Sequence, residues 1–160
     1  MFNVESRAEA RLLAQGANSE GVRARVALRV NPDYLEARYN LAAQYLDANR
    51  LDDAIPLLEE AARLAPDHEL VHVRLGRAYL AKGRGADAYR ALSLVRRLHP
   101  QNWYAPLGMA ALHAANGRPK EAEPLLDDAL RQGGDAARAE AESFPALAPL
   151  LAARGAKPSS

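Results

Sequence analysis

A few side chains in this sequence stand at spacings that could do chemistry. His68 and His72 lie four apart, the interval at which two imidazoles on one helix face can share a metal ion. A metal site needs a further ligand, and Asp67 and Glu69 adjoin the pair. His68, however, falls in a turn segment, and His72 takes a position where a large packing residue belongs. No metal site is therefore assigned. Arg74 and Arg77 are three apart; two guanidiniums on one helix face can hold a carboxylate through paired hydrogen bonds. Trp103 and Tyr104 form the densest aromatic pair, and such residues either anchor interfaces or fill a seam between structural units. His113 reads as a packing residue. No Gly-rich loop follows a strand, no nucleophile stands beside a base, and the acidic residues are interleaved with arginines as on solvated helix faces. The expectation is no catalytic residue, no cofactor and no metal; what remains is recognition.

The elements that position these side chains follow from a fixed period. Pro32, Pro66 and Pro100 are 34 residues apart, and so are Ala54, Ala88 and Ala122, Leu58, Leu92 and Leu126, and Leu41, Leu75 and Met109. Tyr45, Tyr79 and His113 keep the same spacing. Such a period belongs to stacked helical hairpins, each burying its apolar face on its neighbours. Asn49, Gly83 and Gly117 share the position that ends the first helix of each pair, where a left-handed residue is needed. Proline closes each second helix. Pro56 and Pro124 are expected near the first turn of theirs, where a missing N–H costs least. Small residues at 42, 76 and 110 and at 54, 88 and 122 mark where the paired helices cross closely. Strands are not indicated.

Composition agrees with a folded, soluble chain of four to five hairpins. Of its 160 residues 49% are hydrophobic and 26% charged, with a net charge of +1, which gives none of the basic excess of a nucleic-acid binder. Cysteine is absent, so disulfides and thiolate chemistry are excluded. The 18 Arg against 3 Lys, with abundant Ala, suggest a GC-rich bacterial coding sequence. No stretch has the apolar length of a membrane span or of a signal peptide core. A cytoplasmic location is expected, or a periplasmic one if a leader is missing from this chain.

The repeated residues resemble the tetratricopeptide repeat, with its W-x2-L-G-x2-Y, A-x3-F and P positions. Arg38, Leu41, Ala42, Tyr45, Ala54, Leu58 and Pro66 match in one unit. His72, Leu75, Gly76, Tyr79, Ala88, Leu92 and Pro100 match in the next, and Pro106, Met109, Ala110, His113, Ala122 and Leu126 in the third. Tryptophan is missing from all three, and Gly134 stands in place of a fourth proline. The resemblance implies an all-α, right-handed superhelix of antiparallel helix pairs. Three repeats are expected at 35–68, 69–102 and 103–134. A degenerate N-terminal pair (helices over 5–15 and 19–30, with Gly16 and Asn18 in the turn) would precede them within 1–32. Capping helices over 135–153, with Ser143 as a cap, would follow, and a flexible tail over 154–160.

In this family the first helix of each pair lines a concave groove. The resemblance therefore implies a peptide-binding groove at Tyr39, Asn40, Leu46, Leu70, Val73, Arg74, Arg77, Leu80, Tyr104 and Leu107, with Gly108 and Ala111 beside them. That face is more apolar than a solvated one, and grooves commonly take an extended or helical peptide. Alternatively, a terminal helix covers it. The basic and asparagine set with which some members hold a C-terminal carboxylate is incomplete, since Glu5, Glu9 and Leu70 stand at three of its positions. The partner is expected to be a protein or peptide of acidic-apolar character. The function expected is a non-catalytic protein-interaction module. The alternatives are a recruitment domain of a larger bacterial enzyme or secretion/assembly protein, and a self-assembling scaffold that forms homo-oligomers.

Overall fold

A computed structural model describes residues 20–31 and 33–155. The proposed helix over 5–15, its turn at Gly16 and Asn18, Glu5, Glu9, Pro32 and the tail from residue 156 lie outside the described residues. Within them the chain is all-helical: α1 (Glu20–Val30), α2 (Leu35–Asp47), α3 (Leu51–Leu64), α4 (Glu69–Ala81), α5 (Gly85–Leu98), α6 (Tyr104–Ala115), α7 (Pro119–Glu142), a 3-10 turn (Pro145–Leu147) and α8 (Ala148–Gly155). The chain divides into two compact units, Met1–Val71 and His72–Ser160, and the division falls inside α4.

In the first unit α1 packs on α2 and α2 on α3. Ala24, Ala37 and Leu41 form the centre, with Leu28, Tyr45 and Leu57 packed around them. α3 shows why these helices form. It buries Ala54, Ile55, Leu58 and Ala61 along one stripe, carries Asp52 and Asp53 in its first turn and Arg63 in its last, and so matches both the helical period and the macrodipole.

The period fixes the helix ends as well. Asn49, Gly83 and Gly117 all have positive φ, at 55°, 75° and 71°. Each is followed by an arginine whose N–H closes the six-to-one bond of a Schellman motif: Arg50 to the Tyr45 carbonyl at 2.7 Å, Arg84 to Tyr79 at 2.8 Å and Arg118 to His113 at 2.9 Å. The side chains repeat too. Arg50 lies over the Tyr45 ring at 4.6 Å and Arg84 over Tyr79 at 4.5 Å, while Arg50 pairs with Asp53 and Arg84 with Asp87 three residues on.

Pro56 and Pro124 depart from expectation. Each is the sixth residue of its helix, in the second turn and not the first. The carbonyls of Asp52 and Lys120 thus lose their helical donor. Both prolines are exposed, so those carbonyls lie on the side where water can serve them.

The second unit has the larger core, with Leu92, Leu107, Leu126 and Leu147 fully buried. Glycine shapes it at two close approaches. A Cβ on Gly76 of α4 would stand 2.5 Å from Leu92 Cδ2, and one on Gly108 of α6 would stand 2.6 Å from Leu92 Cδ1. Leu92 of α5 is therefore seated between two helix backbones that come near only because neither carries a side chain there. This places Gly108 in the core and not in the groove.

α7 runs on past the expected repeat end, with a kink. Gly134 has φ 53° and ψ −131°, a conformation that an L side chain opposes. Its neighbour Gly133 lies so close to Trp103 that a Cβ would stand 2.6 Å from the ring. Trp103 therefore packs on the kink. The second arm of α7, beyond Gly134, buries Ala137 and Ala141. Ser143 does not cap the next helix; its hydroxyl donates back to the Glu140 carbonyl at 2.6 Å. Leu147 and Leu150 are buried, and Arg154 ties α8 down by donating to Asp127 Oδ1 at 2.6 Å.

Candidate functional site

The kink decides where the surface of the second unit opens. The arm beyond Gly134 and the turn after it lie along α6, opposite the end of α4. Between them is an open cavity of about 620 Å³. Leu80 and Ala81 of α4, Ala111, Leu112 and Ala115 of α6, and Phe144, Pro145 and Ala146 after the arm supply apolar walls. The charged residues of the lining are Arg77 and Glu140. Their side chains meet, with Arg77 Nη2 3.1 Å from Glu140 Oε1.

Arg77 is held twice. Its guanidinium also lies 4.2 Å from the centroid of the Tyr104 ring, a cation–π distance. Burial pushes the Tyr104 phenol well above its ordinary range; Arg77 opposes that shift and Glu140 adds to it. The phenol therefore stays neutral at any physiological pH, and the ring presents an unchanged face to the cation. An ordered planar guanidinium beside an apolar hollow can bind a carboxylate or carbonyl and a hydrophobic side chain together.

The sequence-derived groove residues fall into separate groups. Arg77 and Leu80 line this cavity. Tyr104 borders it but is 4% exposed, and Leu107 is fully buried. Leu107 is thus a core residue, and Tyr104 acts through the cation it supports. The reason is visible in α6, whose residues from Tyr104 to Ala111 are all buried. A helix apolar on every side is covered on every side. Val73 packs partly against the same core, and Arg74 is half-buried in α4.

In the first unit Asn40, Glu36 and Tyr34 line a smaller cavity of about 200 Å³ with Arg23 and Ala37. Tyr39 sits 6.1 Å from the His68 ring. Leu46 is half-buried and Leu70 is 51% exposed. His68 serves the backbone: its Nδ1 accepts the Val71 N–H at 3.4 Å, near the start of α4. Among the described residues no three His, Cys, Asp or Glu side chains lie together as a metal site would need. None of the described helices is long and apolar enough to cross a membrane.

Two sequence models of the tetratricopeptide repeat match the chain, at residues 8–69 and 45–101. Together they span residues 8–101, more than half of it. The chain belongs to the tetratricopeptide repeat family. A crystal structure of MamA superposes with a TM-score of 0.67 at 17% identity, over 96% of this chain and 98% of that one. A second MamA structure (AMB-1) gives 0.64 at 25% identity, over 76% and 72%. The type III secretion chaperone SycD of Yersinia enterocolitica, in complex with a peptide of the translocator YopD, gives 0.65 at 21%, over 76% and 93%. These likenesses show the tetratricopeptide fold. No curated protein matches the sequence.

What sequence reasoning missed is the contribution of the C-terminal arm. Glu140 and Phe144 lie outside the repeats, so the period assigns them no face. Glu140 stands in the last turn of α7 and Phe144 in extended backbone just beyond its end, so no helical spacing in the sequence places the two on one side.

Proposed function

We propose that this tetratricopeptide chain is a non-catalytic protein-interaction module, and that the cavity of its second unit takes an apolar side chain from an acidic-apolar partner segment. The observation that carries this is the cavity itself, which combines eight apolar wall residues with one guanidinium fixed on an aromatic ring. Solvated helix faces do not leave such a hollow open, and an apolar pocket with a few convergent polar groups is the usual form of a binding site. SycD, of the same fold, is bound to a peptide in its crystal structure, which supports a peptide as the occupant here. Affinity would come from the buried apolar anchor, and orientation from Arg77.

Ala115 provides the test, because it lines the cavity yet is exposed. A random linear peptide library displayed on phage is selected against the full chain, and enriched peptides are measured by fluorescence polarisation. Ala115→Arg should fill the hollow without disturbing the core, leaving the melting temperature unchanged and weakening the enriched peptides by about tenfold or more, the loss typical of blocking an anchor pocket. Equal binding by the variant, or no enrichment at all, would remove the cavity as the site.

A further inference from the structure

Arg77 already has a carboxylate. Glu140, brought in by the arm beyond the Gly134 kink, occupies the place where a ligand carboxylate would sit. Three observations say that this place is exchangeable. First, the pair is not sealed, since the side chains of Arg77 and Glu140 are 45% and 29% exposed. Ion pairs at that exposure are weak and cost little to open. Second, the arm does not depend on the pair for its position. Ala137, Ala141 and Leu147 are fully buried, Phe144 packs against the core and Arg154 holds the following helix. Glu140 can therefore turn outward while the arm stays docked. Third, among the described residues Glu140 supplies the one carboxylate in the cavity lining, against the one guanidinium. When it leaves, Arg77 faces the hollow with its charge unmatched and its orientation still fixed by Tyr104.

We propose that Glu140 is a built-in competitor for Arg77, which a partner segment displaces with a carboxylate of its own placed beside its apolar anchor. The chain's own arm displays that pattern: Glu140 and Phe144 stand four residues apart and line the same cavity. The partner class that fits is an acidic residue near a large apolar one. Segments with an apolar anchor alone would leave the internal pair in place and gain nothing from Arg77. Glu140 thus sets specificity by making the cavity neutral until a matching carboxylate arrives.

This inference rests on the cavity being the docking site, and its test separates the two. The phage-displayed library is selected in parallel on the full-length wild type, on Glu140→Gln and on Arg77→Gln. Enriched peptides are then synthesised in Glu and Gln versions. On Glu140→Gln the selected peptides should carry an acidic residue next to the apolar one. Their Glu versions should bind that variant about three- to fivefold more tightly than they bind wild type, the size expected for removing an exposed competing ion pair. On Arg77→Gln the preference for Glu over Gln should vanish while apolar-anchored binding persists. Circular dichroism melts of both variants should match wild type. Peptides that bind Glu140→Gln equally in Glu and Gln form would overturn the exchange and leave the docking site standing. No enrichment on any of the three chains would overturn both.

Discussion

Gly76→Leu should lower the melting temperature by roughly 6–12 °C. The position lies inside the α4–α5 crossing, where even a Cβ would come within 2.5 Å of Leu92 Cδ2 and 2.8 Å of Cγ. Leu92 has no room to retreat. On its far side the backbone of Gly108 is equally close, and the side chain is fully buried. Overpacking of a filled core costs about 1–3 kcal/mol and at times more. Pinning from two sides puts this substitution at the upper end, and about 3 kcal/mol in a chain of this size corresponds to the stated shift. The mechanism has its own control. Gly76→Ala combined with Leu92→Ala should be less destabilising than the sum of the two single changes, because the smaller residue at 92 makes the space that the new methyl needs. Additive losses, or an unshifted melt for Gly76→Leu, would mean that the helices do not cross there.

The same region shows how far the sequence carried the fold. Leu58, Leu92 and Leu126 and Ala54, Ala88 and Ala122 are all fully buried, as their common period requires, and the left-handed turns fall at the residues that tolerate them. Both are local consequences of residue type repeated at one interval. The arginines at 50, 84 and 118 were equally legible, since they keep the period and stand three residues before Asp53, Asp87 and Glu121, but a polar repeat is easily passed over as surface. Pro56 and Pro124 went astray because a missing N–H can be tolerated in a second turn when the freed carbonyl faces water. The cavity was only partly legible. Arg77 and Leu80 belong to a repeat and could be assigned a face. Tyr104, Leu107 and Gly108 were assigned to a groove by the same logic and proved buried, although the unbroken apolar run of α6 argued for cover on all sides. Gly108 is covered by Leu92 and Leu80 of neighbouring repeat helices. The core that holds Tyr104 and Leu107 also takes in Ala141, Leu147 and Leu150 from a segment outside the period, beyond a backbone conformation at Gly134 that residue type permits but does not dictate. The pairing of Arg77 with Glu140 is therefore a product of tertiary structure, with no counterpart in the repeat pattern.

Replacing the kink glycines together should produce the other large effect. In Gly133→Ala/Gly134→Ala, the first methyl meets the Trp103 ring at 2.6 Å, and the second forces an alanine to φ 53° and ψ −131°. Holding a non-glycine residue in such a region costs about 1–3 kcal/mol. Two alanines would also favour a continuous α7 by about 1 kcal/mol each over glycine. Straightening α7 would carry the arm away from α6 and expose Leu147, Leu150 and Phe144, whose burial is worth about 1.5–3 kcal/mol apiece if complete. Burial outweighs helix propensity, so the arm should remain docked and the variant should bear the strain. The expected result is a melting temperature lower by roughly 6–12 °C, a changed Trp103 emission maximum, and faster proteolysis after the kink, since local opening of the arm becomes easier. Because the docked arm still delivers Glu140, binding of peptides that need Arg77 should change less than stability does. An unaltered melt with unaltered proteolysis would show that the kink stores no strain. A large loss of peptide binding would show instead that the arm swings out as a whole, taking Phe144, Pro145 and Ala146 away from the cavity wall.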